Sequence, residues 1–280
     1  MICIKRDDSL FPVQLKDVKP RIRYFYAIGN TGLLSTPMVS IVGTRNPTPY
    51  GVRTTRSIAT RLAEAGVTIV SGLARGIDAA AHRSALECGG NTIAVMGTGA
   101  DVPYPANHRG LHELVCEKGL VISEYEPGSH AGPGSFPKRN RIIAGLGRCT
   151  IVVEAGHASG TNITANYAHE FGRSLAAVPG SIESNQSKGT NLLLRDGAVV
   201  ITCVEDALSL AGVVGVAQQE PLNLAGNDAL IWSALGPESL EIDVIANRTG
   251  LSARECLASV TALELNGMVE CLISGEVRRR

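Results

Sequence analysis

The sequence lacks the features that would place the chain in a membrane or outside the cell. It has no apolar run long enough to cross a bilayer, and its first residues, MICIKRDDSL, carry charges where a signal peptide would be apolar. Its seven cysteines are scattered without a C-x-x-C pair, which argues against a disulfide framework and a zinc site. These absences favour a soluble, cytoplasmic protein that uses neither a membrane nor a metal.

An excess charge of one sign is also missing. The 280 residues carry 26 Lys+Arg and 26 Asp+Glu. Residues 1–211 contain 21 basic and 17 acidic side chains, a difference of +4, whereas residues 227–280 contain 5 and 8, a difference of −3. This excess is too small for a protein that coats nucleic acid by charge alone, so any anion site must be local. Neither G-x-G-x-x-G nor a Walker A loop occurs, so neither a nicotinamide dinucleotide nor NTP hydrolysis is indicated.

Short β-branched runs, each followed by a Gly-rich turn, recur from residue 38 onward. Apolar runs with little polar alternation are typical of strands buried on both faces, and amphipathic, helix-length segments lie between most of them. The pattern predicts an α/β fold, a doubly wound and mostly parallel Rossmann-like sheet with helices on both sides. The runs occupy residues 38–43, 67–72, 92–97, 120–125, 150–156, 175–180 and 198–203.

The pattern also predicts domain boundaries. Residues 1–37 are expected to form an N-terminal lead-in packed on the sheet, and residues 38–211 the Rossmann-like domain. Residues 212–226 have the composition of a linker, and residues 227–280 predict a small winged helix.

Particular residues define the predicted winged helix. Asn227 is expected to cap a first helix that runs through Leu235, and a second helix is expected at about residues 240–246. Ser252 and Glu255 have the spacing of a capping box for a third helix that ends near Asn266, and a hairpin should turn at Ser274–Gly275. Because this unit is net negative, we expect it to contact protein or support a dimer rather than bind duplex DNA.

Three Gly-rich turns follow strands and have the chemistry to bind phosphate. In a doubly wound sheet, ligands bind outside the carboxyl ends of the strands, near the point where the strand order reverses. Amides at helix starts, with hydroxyls beside them, bind phosphate without a large net charge. The candidate residues are Gly43, Thr44 and Arg45 in the first turn, Ser71, Gly72, Arg75 and Gly76 in the second, and Ser159, Gly160 and Thr161 in the third.

The segment FPKRNRIIAGLG, residues 136–147, places cations where a helix is expected to start. The helix dipole disfavours cations at that end, so they indicate an anionic partner. The alternative is a solvated surface turn with the aromatic ring tucked into the core. The predicted roles are base stacking for Phe136, a base edge or a loop brace for Asn140, and consecutive phosphates for Lys138, Arg139 and Arg141.

Asp78 and His82 lie four residues apart and share one face of a predicted helix. Such a pair can act as an acid/base dyad. The favoured interpretation is that both residues fix the second turn by capping and hydrogen bonds.

Six blocks, in this order, resemble the DNA-processing protein A (DprA, also called Smf) family over residues 11–211. They are SIVGTRNPTPYG, SGLARGIDAAAHRSAL, VPYPANH, FPKRNRIIAGL, VVEAGHASGT and VPGSIESNQSKGTNLLLRDGA. The resemblance implies a Rossmann-like domain that binds and protects incoming single-stranded DNA, forms a homodimer and loads the RecA recombinase during natural transformation. It places the DNA pocket on the three turns and the segment that begins at Phe136. Many members carry an N-terminal helical domain before the block at Phe11, whose contacts are expected to be absent here.

An enzyme is the main alternative. Phosphoribohydrolases of the lysine decarboxylase-like group have a similar fold and use a P-G-G-x-G-T-x-x-E turn, but here the matching turn, GHASGTNIT, has Thr164 in place of the glutamate. Without that carboxylate the glycosidic cleavage lacks its acid/base group, so no catalytic residue is expected. Release of free base from nucleoside monophosphates would favour the enzyme. A nucleotide sensor, the second alternative, would bind mononucleotides with no preference for oligomers.

Overall fold

A long sheet and a small winged helix make up two units of the protein. The computed structural model describes residues 1–157, 159–213, 224, 226–235, 239–266, 268–272 and 275–279. The chain divides into Met1–Val216 and Ala217–Arg280. Most of the linker predicted at residues 212–226, and Ser274 of the predicted hairpin turn, lie outside the described residues.

The sheet of the first unit has nine strands among the described residues, in the order β1-β2-β6-β5-β4-β3-β7-β8-β9. Strands β3 to β9 pair in parallel, and the lead-in adds β1 and β2 as an antiparallel edge. The strand order reverses between β3 and β7. The strands are β1 (Ile2–Lys5), β2 (Tyr24–Gly29), β3 (Met38–Val42), β4 (Thr68–Ser71), β5 (Thr92–Val95), β6 (Leu120–Ser123), β7 (Cys149–Val152), β8 (Ser174–Ala177) and β9 (Val199–Val200).

Helices lie against both faces of this sheet. They are α1 (Pro49–Glu64), α2 (Ile77–Glu87), α3 (Arg109–Lys118), α4 (Ser135–Leu146), α5 (Thr161–Glu170), α6 (Lys188–Arg195) and α7 (Val204–Ala211). Val42 of β3 belongs to one core cluster with Ile142 of α4, whereas its neighbour Ile41 belongs to another with Ile58 of α1. Because successive side chains of a strand point to opposite faces, α4 and α1 cover opposite sides of the sheet. The predicted doubly wound α/β fold is confirmed.

The second unit is a winged helix. Its helices are α8 (Asn227–Ala234), α9 (Ile242–Thr249) and α10 (Ala253–Leu265), and its strands are β10 (Leu240–Glu241), β11 (Val269–Cys271) and β12 (Glu276–Arg279). The capping box of Ser252 and Glu255 is confirmed. Two boundaries differ from the prediction. Gly226, not Asn227, is the N-cap of α8, and α9 begins later than predicted because Leu240 pairs with Val277 in the wing.

Within the described ranges, every helix is too short or too polar to span a bilayer.

Candidate functional site

A cavity opens at the carboxyl ends of β3 and β7, where the strand order reverses. This is the position at which doubly wound sheets bind their ligands. All three Gly-rich turns and the start of α4 meet there, as the sequence predicted. The cavity has a volume of about 490 Å³, and we name it the central cavity; it is lined by Val42, Gly43, Arg45, Ala74, Asp78, Phe136, Pro137, Arg139, Asn140, Ile143, Ser159, Gly160, Thr161, Ile163 and Thr164.

A second cavity of about 350 Å³ adjoins the first. The two share the side chains of Arg45, Ala74, Phe136 and Arg139, so together they form one interrupted groove. We name the second the side cavity; it is lined by Arg45, Gly72, Ala74, Arg75, Tyr104, Pro105, Asn107, Phe136 and Arg139.

The half-buried ring of Phe136 borders both cavities. Its centroid lies 4.8 Å from that of Tyr104, and the Arg45 guanidinium carbon lies 5.7 Å from the same centroid. A Cβ atom at Gly97 would come within 2.8 Å of the ring, so glycine is needed there for the ring to occupy this position. The ring is therefore held by its neighbours without being sealed in the core, as its predicted stacking role requires.

The first turn is tied to the ends of the neighbouring strands. The Thr44 amide donates to the Glu154 carbonyl (2.7 Å), and the Thr44 carbonyl accepts from the Ile77 amide (3.2 Å). The buried carboxylate of Glu154 accepts from the Thr48 amide (2.8 Å) and hydroxyl, which fixes the start of α1. Gly43 lines the central cavity and Arg45 is exposed at its rim, whereas Thr44 lines neither cavity.

The second turn differs from its prediction, because its polar groups are already paired. The buried Ser71 hydroxyl donates to the Ile41 carbonyl (2.6 Å), and the Gly72 amide donates to the Asp78 carboxylate (3.1 Å). Ser71 and the Gly72 amide therefore hold the turn and have no free group for phosphate. Gly76, at a φ of +80°, would place a Cβ 2.3 Å from the Thr44 carbonyl, so its role is to let the first two turns approach.

Buried histidines hold the second turn in a strained conformation. Leu73 has a φ of +56°, which is costly for a residue with a side chain. Its amide donates to His82 Nε2 (3.3 Å), and its carbonyl is bonded to His108 Nδ1 (3.0 Å). Burial lowers the pKa of His82 to about 3, so the ring is neutral and its Nε2 can accept. The predicted structural role of Asp78 and His82 is confirmed. Of the predicted second-turn residues, only Arg75 presents an exposed charge.

Arg139 is a buried cation between the two cavities. Only 5% of the residue is exposed, and its Nη1 donates to the Gly72 carbonyl (2.7 Å) and to the Val95 carbonyl. Its Nε lacks a partner among the described atoms. Burial lowers the pKa of Arg139 to about 10 against an opposing effect of Asp78, and burial raises the pKa of Asp78. Arg139 therefore supplies a fixed positive charge behind the cavities rather than a mobile phosphate ligand at the surface.

The three cations of the segment that begins at Phe136 have three different environments, which corrects the prediction that they hold consecutive phosphates. Arg141 is 1% exposed, and its guanidinium pairs with the Glu124 carboxylate (2.6 Å) and donates to the Pro20 carbonyl (3.2 Å). It cannot reach a ligand. Lys138 is exposed, lines neither cavity, and places its Nζ 5.9 Å from the Tyr125 ring centroid.

The third turn closes the central cavity. The Ser159 hydroxyl donates to Thr161 Oγ1 (3.0 Å) and accepts from the Thr161 amide (3.2 Å). The Asn140 amide nitrogen donates to the Gly160 carbonyl (3.4 Å), so Asn140 braces the loop, which is one of its two predicted roles. Gly160 is exposed, with open space where a Cβ would stand.

Sequence reasoning missed several lining residues. Tyr104, Pro105 and Asn107 form the far wall of the side cavity, and Ile143 and Ile163 supply apolar surface to the central cavity. A signal for the first three was available, since all three lie in the block VPYPANH, which resembles the DprA family.

Comparison with known proteins finds family models that match both units of the chain. Residues 2–212 match the family model of DNA recombination-mediator protein A, and residues 216–273 match that of the DprA winged helix domain. A relative from Mycobacterium tuberculosis is 38% identical over 94% of this chain and 66% of its own length. Protein Smf of Synechocystis is 48% identical over 76% of this chain and 54% of its own length. The chain thus spans between half and two thirds of these two relatives.

Solved structures show the same fold. DNA processing protein A from Streptococcus pneumoniae has a TM-score of 0.72 at 41% identity and covers 74% of this chain and 73% of its own. DNA processing protein A from Helicobacter pylori, described in its single-stranded DNA binding mode, has a TM-score of 0.67 at 35% identity, over 72% of this chain and 94% of its own. The chain therefore belongs to the DNA recombination-mediator protein A (DprA) family.

Proposed function

We propose that this protein binds single-stranded DNA in the groove formed by the central and side cavities. The observation that carries the proposal is the position of Phe136 between two cavities at the switch point of the sheet, with Arg45 at their shared rim. Stacked bases and neutralised phosphates are the two contacts that hold single strands without reading their sequence. The single-stranded DNA binding described for the Helicobacter pylori protein supports this assignment.

Each part of the groove has a chemistry that suits one part of a nucleotide. Two exposed cations are available to phosphates: Arg45 at the rim of the groove, and Lys138 of α4, which lies outside both cavities. Gly43 and Gly160 bring backbone close to a ligand, as phosphate-binding turns require. Apolar surface from Ile143 and the Phe136 ring suits a base.

Protection of incoming DNA, loading of RecA and a homodimer complete the proposal. These activities rest on membership of the family and on the resemblance of the six sequence blocks. The winged helix is proposed to contact protein, because the unit is net negative. In addition, the charge of Arg278 in its wing is balanced by Glu270 (2.9 Å). A cytoplasmic location is part of the same proposal, since RecA and its DNA substrate are expected there.

The proposal includes no catalytic role. Thr164 is buried at the position where the phosphoribohydrolase turn has its glutamate, and the Asp78 carboxylate is committed to the Gly72 amide. The central cavity thus lacks a carboxylate placed for glycosidic cleavage among its described lining residues.

A salt-titrated comparison of three ligands tests the proposed function. An oligothymidylate is expected to bind more tightly than a duplex of equal length, and much more tightly than thymidine monophosphate. The logarithm of its affinity should fall with the logarithm of salt concentration by about 0.7 for each phosphate neutralised. Fluorescence anisotropy measures both quantities. A preference for duplex, or equal affinity for the mononucleotide, would contradict single-stranded DNA binding.

Substitution of the ring tests the stacking contact. Phe136→Ala is expected to weaken binding of the oligothymidylate by about 1–3 kcal/mol, the usual contribution of one base stacked on an aromatic side chain. Phe136→Tyr keeps the ring and serves as the matched control, with affinity close to that of the unchanged protein. Equal affinities of the alanine and tyrosine variants would show that no base stacks on this ring.

A further inference from the structure

Three exposed arginines lie on the first two helical connections of the sheet, one at the side cavity and two outside both cavities. Arg75 borders the side cavity, Arg53 lies in α1 and Arg83 lies in α2. All three are exposed, and the structure shows no hydrogen bond or ion pair to them within the described part of the chain. We name these residues the arginine row.

An ion pair fixes the register of the two helices and therefore the position of the row. Strands β3 and β4 are parallel neighbours, so the helices that follow them, α1 and α2, run in the same direction. Arg56 of α1 pairs with Glu87 of α2 at 2.9 Å. Arg53 and Arg83 precede these two residues by three and four positions, which is about one helical turn in each case. Arg53 and Arg83 thus flank each other one turn nearer the cavities.

The row is continuous with the side cavity. Arg75 directly precedes Gly76, the N-cap of α2, and Arg53 is the fifth residue of α1. At about 1.5 Å per residue, Arg53 lies about 6 Å and Arg83 about 9 Å along their helices from the edge where the cavities open. One turn further on, the charge of Arg56 is balanced by Glu87. The unbalanced positive charge therefore starts at the side cavity and ends after one to two helical turns.

Helix stability does not account for the charge of Arg53 in α1. α1 has no acidic residue in its first turn, and its first carboxylate is Glu64, the last residue of the helix. The positive end of the helix dipole disfavours cations in the first turns. An anion outside the protein would balance charges that the protein itself leaves unbalanced.

We propose that the arginine row binds the phosphates of a DNA strand that leaves the side cavity. This inference rests on the proposed function and extends it, because it assigns a path to the part of the strand that the cavities cannot hold. Strands that only fill the cavities reach Arg75 but not Arg53 and Arg83, whereas longer strands neutralise Arg53 and Arg83 in addition. The row therefore makes affinity depend on strand length.

Two oligothymidylates of about six and about twenty nucleotides, a span that brackets common single-strand site sizes, test the row in the full chain. The double variant Arg53→Ala/Arg83→Ala is expected to bind the short strand as the unchanged protein does. Its affinity for the long strand should fall by about fivefold to tenfold at low salt, as expected for two exposed ionic contacts. The salt dependence for the long strand should decrease by about 1.4 in slope, that is, about 0.7 for each of the two lost phosphate contacts.

A second double variant, Lys118→Ala/Arg195→Ala, also removes two positive charges, but outside the row and both cavities. Lys118 is at the end of α3 and Arg195 is at the end of α6. It should bind both strands within twofold of the unchanged protein. If the two double variants bind the long strand with equal affinity, the arginine row does not bind DNA, and the assignment of the cavities is unaffected. If Arg53→Ala/Arg83→Ala loses equal affinity for the short and the long strand, the proposed role of the arginine row is also contradicted. Failure of the unchanged protein to bind either strand would overturn the row and the proposed function together.

Discussion

Replacement of Arg45 and Lys138 together by alanine is expected to weaken single-stranded DNA binding by about 100-fold at low salt, while the free energy of unfolding changes by less than about 0.5 kcal/mol. A 100-fold loss corresponds to about 2.7 kcal/mol, or about 1.4 kcal/mol for each of two phosphate contacts, which is near the lower limit for hydrogen bonds to charged groups. Both side chains are exposed, and within the described part of the chain they lie against the rings of Phe136 and Tyr125, at 5.7 and 5.9 Å from the ring centroids. Little stability therefore depends on them.

The measurement needs a control for charge and one for folding. Lys118→Ala/Arg195→Ala removes one lysine and one arginine, both exposed and at the ends of α3 and α6. Anisotropy titrations of the two double variants at several salt concentrations give affinity and slope, and urea unfolding gives stability. If the Arg45/Lys138 variant binds as tightly as the control, the groove is not where phosphates bind.

Replacement of Arg141 by alanine is expected to lower the stability of the protein and to leave its DNA affinity almost unchanged. The free energy of unfolding should fall by about 3–5 kcal/mol, because removing one partner of a buried ion pair leaves the other charge without compensation. That other charge is Glu124, which is 15% exposed and lies 2.6 Å from the Arg141 guanidinium. The Pro20 carbonyl would also lose a donor. DNA affinity of the folded protein should change little, since Arg141 does not border either cavity.

Urea unfolding followed by circular dichroism measures this loss. Lys138→Ala is the matched control, because it removes a cation three residues earlier on the same helix and should cost less than about 0.5 kcal/mol. A stability loss for Arg141→Ala no larger than that of Lys138→Ala would show that the ion pair contributes nothing. A large loss of DNA affinity without a loss of stability would show that Arg141 contacts DNA.

The fold was predictable because burial leaves a periodic pattern in the sequence. All residues of β3 and β4 are buried, and both appear in the sequence as apolar runs that end in glycine-containing turns. The place where the turns meet was predictable for the same reason, since the carboxyl ends of parallel strands share one edge of the sheet. The burial of Arg139 could also have been predicted. It lies three, four and seven positions before Ile142, Ile143 and Leu146, the buried stripe of α4.

The environment of Arg141 could not have been predicted in this way. The segment before β2 packs on α4, where a Cβ at Gly145 would come within 2.4 Å of a Val18 methyl, and Pro20 of the same segment accepts from Arg141. These contacts join residues more than a hundred positions apart. The pairing of Ser71 with Ile41 and the histidine bonds at Leu73 are likewise set by neighbouring strands and helices.

The sequence by itself determined the family, the doubly wound sheet, the winged helix and the edge at which three turns and a cationic helix start converge. Each of these follows from local periodicity, glycine placement or ordered motifs, which are properties of adjacent residues. Only the tertiary structure decided which of the neighbouring cations face solvent, which turn amides are already bonded, and that Tyr104 completes the side cavity. The physical reason is that a side chain's charge and hydrogen-bonding capacity are available to a ligand only where no distant part of the chain has already satisfied them.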